Sequence, residues 1–278
     1  MPNGRRLTAL IAACHPEPAA LVTVLTSLLS LAVGRGWGVV WVTAAVAAGQ
    51  LSVGWSNDYL DRDLDRVQRR PDKPLAGDGR GDALGAATVR GAAIGALVAC
   101  VPLSLAAGPG FAVAHLAAVG LALAYNAGLK ARPLSVLPYA IAFGLLPVAV
   151  TLGLPAPRLP AAWAVAAAAL IGAGGHFTQA LPDIAADRRS GIRGLPQVVG
   201  QRASGTAAAL LLLAANLVVA FGPGRPGPAQ LVVAALAGAL TAGILGAALV
   251  DRARLAFRLT LAAAAVAVLS FLAGGRGL

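Results

Sequence analysis

The sequence predicts an all-α polytopic membrane protein built as one domain. Three observations predict it. Hydrophobic residues make up 58% of the 278 and charged residues only 12%, against about 25% charged in a soluble domain; mean hydropathy is +0.77. Nine apolar stretches are each long enough for a bilayer, which takes roughly 20 residues per helical crossing. The basic residues fall almost wholly on one side of the alternation that these stretches create. The apolar content excludes a disordered tail, and two cysteines exclude a disulfide scaffold. The runs are too long for barrel strands, and a helix satisfies its own backbone groups where lipid does not.

The spans are read at 7–33, 38–56, 84–107, 111–129, 134–153, 161–181, 204–222, 229–250 and 255–273. The first follows Arg5 and Arg6 and is interrupted by His15-Pro16-Glu17-Pro18. It is expected to begin as a short interfacial piece and then cross, and that break argues against a cleavable signal peptide, so the N-terminus is read as mature. Gly34, Gly36 and Gly38 mark the turn into the second span, which runs directly into an acid-rich sequence. Cys14 and Cys100 read as small buried hydrophobes. The fourth span carries His115 near one end, where a structural role is expected, and Tyr125-Asn126-Ala127-Gly128-Leu129-Lys130 at the other. Gly172, Gly174 and Gly175 in the sixth span are expected to allow close helix packing.

Counting Lys and Arg on alternate sides gives 18 against 4. The larger set runs from Arg5, Arg6, Arg62, Arg66, Arg69, Arg70, Lys73, Arg80 and Arg90 through Lys130 and Arg132. It continues with Arg188, Arg189, Arg193, Arg202, Arg252, Arg254 and Arg258; the smaller set is Arg35, Arg158, Arg225 and Arg276. The positive-inside rule places the larger set, and with it the N-terminus, in the cytosol and the C-terminus outside. The net charge of +11 then reports topology and contact with anionic lipid. It does not indicate nucleic acid, whose binders carry their basic residues on a soluble module. The alanine-rich composition suggests a bacterial source and hence the plasma membrane.

The 11 acidic residues are distributed differently: seven lie between Asp58 and Asp82, and Asp183 and Asp187 end the sixth span. In Trp55-Ser56-Asn57-Asp58-Tyr59-Leu60-Asp61-Arg62-Asp63-Leu64-Asp65-Arg66, a continuing helix puts Asp58, Asp61 and Asp65 on one face and points Asp63 away. Like charges on one face weaken a helix unless a cation neutralises them. Oxygen ligands without His or Cys suit Mg²⁺. Asp183 and Asp187, at i and i+4, repeat the arrangement, and Asp-x-x-x-Asp-Arg occurs at Asp61–Arg66 and again at Asp183–Arg188. Four spans separate the copies, so both face the same side, as in two weak four-helix half-repeats within residues 1–278. Arg70-Pro71 follows the first motif; Arg193 and Leu195-Pro196 follow the second. Two such clusters facing each other would hold Mg²⁺ between carboxylates and phosphates, with Arg and Lys on the remaining oxygens. The simplest ligand is a diphosphate with an apolar tail in the bundle. Solvated loop acids paired with loop arginines are the competing reading of a single cluster.

These residues resemble the signatures of the UbiA superfamily of intramembrane prenyltransferases. Asn57-Asp58-x-x-Asp61-x-x-x-Asp65 resembles the first signature, Asp183-x-x-x-Asp187 the second, and Tyr125 with Lys130 a Tyr/Lys element. The resemblance covers the whole chain and implies nine helices around a central cavity with a cytosolic cap. It implies Mg²⁺-dependent use of a prenyl diphosphate, with Asn57, Asp58, Asp61, Asp65, Asp183 and Asp187 holding Mg²⁺. Lys130 and Asn57 would contact the diphosphate, with Arg66, Arg70, Arg188 and Arg193 as further phosphate partners. Two departures stand out. Members often carry an Arg at the start of the first helix, where this chain has Cys14-His15-Pro16-Glu17-Pro18, and Asp63 is an additional acid.

The implied chemistry starts with neutralisation of the leaving diphosphate. A dry cavity then protects the allylic cation, with Trp55, Tyr125, Tyr139, Phe143 and Phe177 as candidate aromatic faces. Asp61, Asp187, Lys130, Tyr125 and His176 are the catalytic candidates. His176 lies two turns before Asp183 and could act as a base or be a hydrogen-bonded buried His; His15 and Glu17 carry the same two readings. Nothing resembles a zinc site, Walker loop, dinucleotide fingerprint or Ser-His-Asp set. Three functions compete: prenyl transfer to a lipophilic, aromatic or quinone-precursor acceptor; terpene cyclisation without an acceptor; and a transporter or lipid-binding protein. Acids at helix ends on one side favour a lipid-diphosphate site over a midplane ion path.

Overall fold

The computed structural model describes residues 2–68, 70, 73–76 and 84–273. The positions Arg69, Asp72, Asp78, Arg80, Asp82 and Arg276, counted in the charge patterns above, and Pro71, which follows the first motif, lie outside them. Every regular element among the described residues is helical.

Helix α1 (Pro2–Ala13) meets α2 (Pro16–Ala32) at His15, and the axes of Arg6–Ala13 and Pro16–Ala32 diverge by 63°. Pro16 disfavours α-helical backbone at the residue before it; His15 adopts φ 55°, ψ 66° and so turns the corner in the left-handed region. The expected interfacial piece is thus a separate helix. A 3₁₀ turn at Gly36–Gly38 leads into α3 (Val39–Val67), 29 residues long. At 1.5 Å per residue α3 spans ~44 Å, more than a hydrocarbon core of about 30 Å, so its last turns carry the first acid motif beyond the apolar layer. Next come α4 (Ala86–Ala106), α5 (Pro109–Asn126), α6 (Val136–Leu152) and α7 (Ala162–Ala180). The short helices α8 (Ile184–Arg189) and α9 (Leu195–Val199) then precede α10 (Gln201–Phe221), α11 (Pro228–Leu249) and α12 (Ala253–Ala273).

Among the described residues six helices are long and apolar enough to cross a membrane, seven if the bent α1–α2 pair is counted as one span. The expected spans at 134–153 and 161–181 are helices, but α6 has only 17 residues and α7 does not join that group. The Ala- and Gly-rich sequence of α7, ending in His176 and Gln179, lowers its hydropathy.

Two buried clusters pack the helices together: Val42, Ala45, Val46, Phe111 and Ala149 join α3, α5 and α6, and Leu212, Ile244, Ala247 and Ala263 join α10, α11 and α12. Val98, Val113 and Val232 are exposed, as lipid-facing positions require. The close-packing expectation for the α7 glycines divides. A Cβ at Gly172 would lie 2.6 Å from the Tyr139 carbonyl oxygen, and one at Gly174 would lie 2.9 Å from Leu212. Gly175 meets nothing within 4 Å and lines the cavity described next.

Candidate active site

The C-terminal end of α3 faces the 3₁₀ turn Leu129–Ala131 and the α7–α8–α9 segment. On α3, Asp58 is 1% and Asp65 5% exposed, whereas Asp63 is exposed and pairs with Arg62 and Arg66 at 3.2 Å each. This is the one-faced arrangement that the spacing predicts. Lys130 forms an ion pair with Asp61. Asn57 Nδ2 donates to Asp61 Oδ2 at 3.0 Å and reaches Asn126 Oδ1 at 3.4 Å. Asn126 in turn donates to the Val53 carbonyl and to Ser56 Oγ, both at 2.9 Å, tying α5 to α3.

The second motif is not a continuation of α7. Helix α7 ends at Ala180, and Pro182, which lacks an N–H, marks the break before α8. Asp183 caps α8, and the Asp187 amide still donates to the Asp183 carbonyl at 2.8 Å, so the i, i+4 relation survives. Arg70 bridges the motifs, with Nη1 2.7 Å from Asp183 Oδ1. Gln68 Nε2 and Gln197 Nε2 donate to the two oxygens of Asp187 at 3.3 and 2.8 Å. Burial raises the Asp187 pKa, with the neighbouring Asp183 charge adding and the two amide donors and Lys130 opposing. A Cβ at Gly194 would lie 2.3 Å from the Lys130 carbonyl oxygen, so this segment rests directly on the Lys130 turn.

Not every candidate joins the cluster. Arg66 pairs with Asp63 on the outer face. Arg188 is exposed and donates to the Val198 carbonyl at 3.4 Å. Arg193 is exposed. His176 has both ring nitrogens engaged, Nδ1 with Tyr125 OH at 3.4 Å and Nε2 with Ser135 Oγ at 3.0 Å, which matches its hydrogen-bonded reading. Glu17 reaches outward to Arg258 at 3.1 Å.

In the sequence Lys73 reads only as one of the topology charges. It folds back so that Nζ lies 2.6 Å from Asp58 Oδ1 and 3.1 Å from His15 Nε2, and His15 Nε2 is itself 3.2 Å from Asp58 Oδ1. His15 thus stands beside the acid cluster from the α1–α2 corner.

Below the cluster opens a cavity of about 290 Å³. His15, Asn57, Tyr125, Asn126, Tyr139 and Gln179 line its polar end, and Leu29, Leu146, Trp163 and Val219 its far end. Tyr125 and Tyr139 meet edge to face at 4.9 Å, and Tyr139 stacks on Phe143 at 6.2 Å. Of the five aromatic candidates these three line the cavity. The Trp55 indole instead donates to the Leu10 carbonyl at 2.9 Å, and Phe177 packs beside His176.

An acid pair of this spacing above an apolar cavity is what the UbiA resemblance implies, and the sequence model of the UbiA prenyltransferase family matches residues 20–259. The chain belongs to that family. Similar solved structures extend over nearly its full length. A UbiA homolog from Aeropyrum pernix K1 without ligand has a TM-score of 0.71 at 18% identity, covering 96% of this chain and 97% of the other. A UbiA homolog from Archaeoglobus fulgidus bound to DMAPP and Mg²⁺ has a TM-score of 0.68 at 17% identity, covering 96% and 97%. A structure of digeranylgeranylglyceryl phosphate synthase has a TM-score of 0.65 at 16% identity, covering 97% and 98%. No protein of curated function matches the chain. At these identities the likeness is one of fold.

The donor set fits a UbiA-type cation site in one respect. Asp58 Oδ2 and Asp65 Oδ2 are buried without a hydrogen-bond partner, and a buried carboxylate oxygen without a donor is costly. Among the described residues no three of His, Cys, Asp and Glu converge closely enough to ligate one ion as they stand; Lys73, Lys130 and Arg70 hold the facing oxygens instead.

Proposed function

We propose that this chain catalyses Mg²⁺-dependent transfer of an isoprenyl group from a prenyl diphosphate to a lipophilic acceptor, an aromatic or quinone precursor dissolved in the membrane. One observation carries the reading. Two acid motifs and three cations, Arg70, Lys73 and Lys130, meet above an apolar cavity whose upper wall is Asn57, Tyr125 and Tyr139. Such a site takes a molecule that is anionic at one end and hydrocarbon at the other. That homologs of this fold were solved with GPP or DMAPP and Mg²⁺ supports the same assignment.

Asp58, Asp61, Asp65, Asp183 and Asp187, with Asn57, would hold Mg²⁺, which supplies charge neutralisation for a leaving diphosphate. Lys130, Lys73 and Arg70 would exchange their carboxylate partners for phosphate oxygens, as charge-assisted donors do. Tyr125, Tyr139 and Phe143 would face the allylic carbon and stabilise positive charge through their rings. The apolar wall keeps water from the cation. The C1–O bond breaks with its electron pair on diphosphate, the acceptor carbon's electron pair forms the bond to C1, and the proton lost from that carbon goes to the departing diphosphate. The reading includes nine crossings, two half-repeats, a cytosolic cap and N-terminus, an external C-terminus and a bacterial plasma membrane.

The test uses purified protein in detergent with Mg²⁺ and labelled C10, C15 and C20 diphosphates, with and without a panel of phenolic and quinone-precursor acceptors. Acceptor-dependent prenyl product that disappears in Asp61→Asn and Asp187→Asn is expected. Failure to bind or turn over any diphosphate would sink the reading and revive a transporter.

A further inference from the structure

Of the four tryptophans, Trp37 and Trp41 are exposed and Trp55 donates to the Leu10 carbonyl. Trp163 lines the cavity. It stands at the start of α7, at the end of the molecule away from the acid cluster. Above it α7 presents Gly175, Ile171, Ala168 and Ala164 to the cavity, and α12 presents Ala264 and Ala267. Mostly small residues on these helices leave a slot between them, and the first ring along α7 in that slot is Trp163. The indole packs in one cluster with Leu29, Val33, Val219 and Ala267. Val33, one turn beyond Leu29 on α2, no longer lines the cavity. A Cβ at Gly222 would lie 2.7 Å from Trp163 Cβ and Cγ, so the root of the indole is wedged against the end of α10. Trp163 is therefore a fixed floor.

The depth above that floor follows from the helices that line it. Gln179, which accepts from the Tyr139 hydroxyl, marks the polar end on α7. Sixteen positions separate it from Trp163, ~24 Å along a helix. On α2, His15 and Leu29 lie fourteen positions apart, ~21 Å. Van der Waals contact with the indole takes up ~4 Å, which leaves ~20 Å below Tyr125 and Tyr139. An extended chain advances ~1.2 Å per bond, as a peptide does with three bonds per residue. Four isoprene units of four bonds each then fill ~19 Å, and five need ~24 Å. We propose that Trp163 sets the tail length of the substrate and limits this enzyme to prenyl diphosphates of up to four isoprene units. The inference rests on the proposed diphosphate site, which places C1 level with Tyr125 and Tyr139. A fifth unit meets the indole, and the indole cannot retreat past Gly222.

The test uses purified protein in detergent with Mg²⁺ and labelled C15 diphosphate, competed by unlabelled C10, C15, C20, C30 and C40 diphosphates. Variant and wild type are compared at each length, which cancels partition of the longer chains into micelles. Wild type should hold C10 to C20 and bind C30 and C40 at least about tenfold more weakly, the low side of what surplus bulk costs in a closed pocket. Trp163→Ala should raise the C30 and C40 affinities at least about tenfold and leave C10 unchanged. Ala168→Leu should do the opposite. Its side chain enters the slot eleven positions from Gln179, ~16 Å below it, and should reject C20 while keeping C10. Should Trp163→Ala not fold, the wild-type series and Ala168→Leu decide alone. Wild type that binds C40 as tightly as C20, or variant-to-wild-type ratios that stay flat across the lengths, would overturn the inference and leave Trp163 an interfacial anchor. Failure of wild type to bind any of the diphosphates would sink the diphosphate site, and the inference with it.

Discussion

Asp58 and Asp187 show opposite electrostatic bargains within one cluster. Asp58 is 1% exposed, with one oxygen against Lys73 and His15 and the other unpartnered. Removing Lys73 strands a buried charge, so Lys73→Met should destabilise the metal-free protein by up to about 3 kcal/mol, the low end for breaking a buried pair. The low end applies because Lys73 is itself 12% exposed. Chemical denaturation in detergent measures it, and added Mg²⁺ should narrow the gap by taking the place of Nζ. Asp187 has a raised pKa. The native state therefore holds that proton at pH values where the unfolded chain has lost it, and stability falls as pH rises through this window. Asp187→Asn should remove this slope, so that the stability difference between variant and wild type changes with pH across the window, leaving a metal-free variant that melts no lower near neutral pH. The Gln197 Oε1 atom, buried without a partner, accepts from the new amide once Gln197 flips. The same variant should lose about 100-fold or more in turnover, the scale of a deleted electrostatic stabiliser. The acid spacing was readable because a helix face is a local property. Lys73, Gln68, Gln197 and Asn126 were not, because each becomes a partner only when segments distant in sequence fold together; Gln197 meets Asp187 across a loop, and Asn126 meets Ser56 from another helix.

The two acid motifs ride on different elements, and the sequence explains one better than the other. Val39–Val67 reads as one helix because nothing within it breaks the pattern, so the first motif is legible as a face. Pro182 detaches the second motif from α7, and its position is then set by the α8–α9 segment lying on Lys130. Gly194 is the contact that permits this. Its backbone, φ −63° and ψ 164°, is open to any residue, so Gly194→Ala tests the contact alone. The added methyl meets the Lys130 carbonyl at 2.3 Å and Gln197 Oε1 at 2.7 Å, and backbone does not yield as a side-chain tip does. Overpacking of this kind costs about 1–3 kcal/mol. The expected outcome is a lower melting temperature and impaired diphosphate binding. Gly175→Ala is the matching control. It meets nothing within 4 Å and lies inside α7, where Ala is favoured over Gly by roughly 0.5–1 kcal/mol. It should melt at or above wild type, with only the cavity volume reduced.

Across the whole molecule the connections sort into two ends. At one end lie Arg70 with Asp183, Lys130 with Asp61, Gln201 with Asp251 at 2.8 Å and Arg258 with Glu17. At the other, Arg35 donates to the Ala107 carbonyl, a Cβ at Gly108 would sit 3.6 Å from Gly153, and one at Gly222 would meet Trp163. Successive connections alternate between these sets, which supports the nine-crossing reading even though α6 is short and α7 weakly hydropathic. On the proposed topology, the charge count of 18 against 4 would put the acid-cluster end in the cytosol. Cysteine accessibility tests this directly. Cys14 and Cys100 are buried and can be replaced by Ala; Arg193 and Arg225 are exposed and sit at opposite ends. Losing either arginine leaves the asymmetry nearly intact, at 17 against 4 or 18 against 3, so neither variant should invert the protein. On intact cells a membrane-impermeant maleimide should label Arg225→Cys and spare Arg193→Cys until the cells are lysed. The reverse pattern would turn the active site outward, away from the cytosolic pool of a charged diphosphate. Labelling of both from outside would break the alternation itself, and with it the placement of the two acid motifs on one side of the membrane.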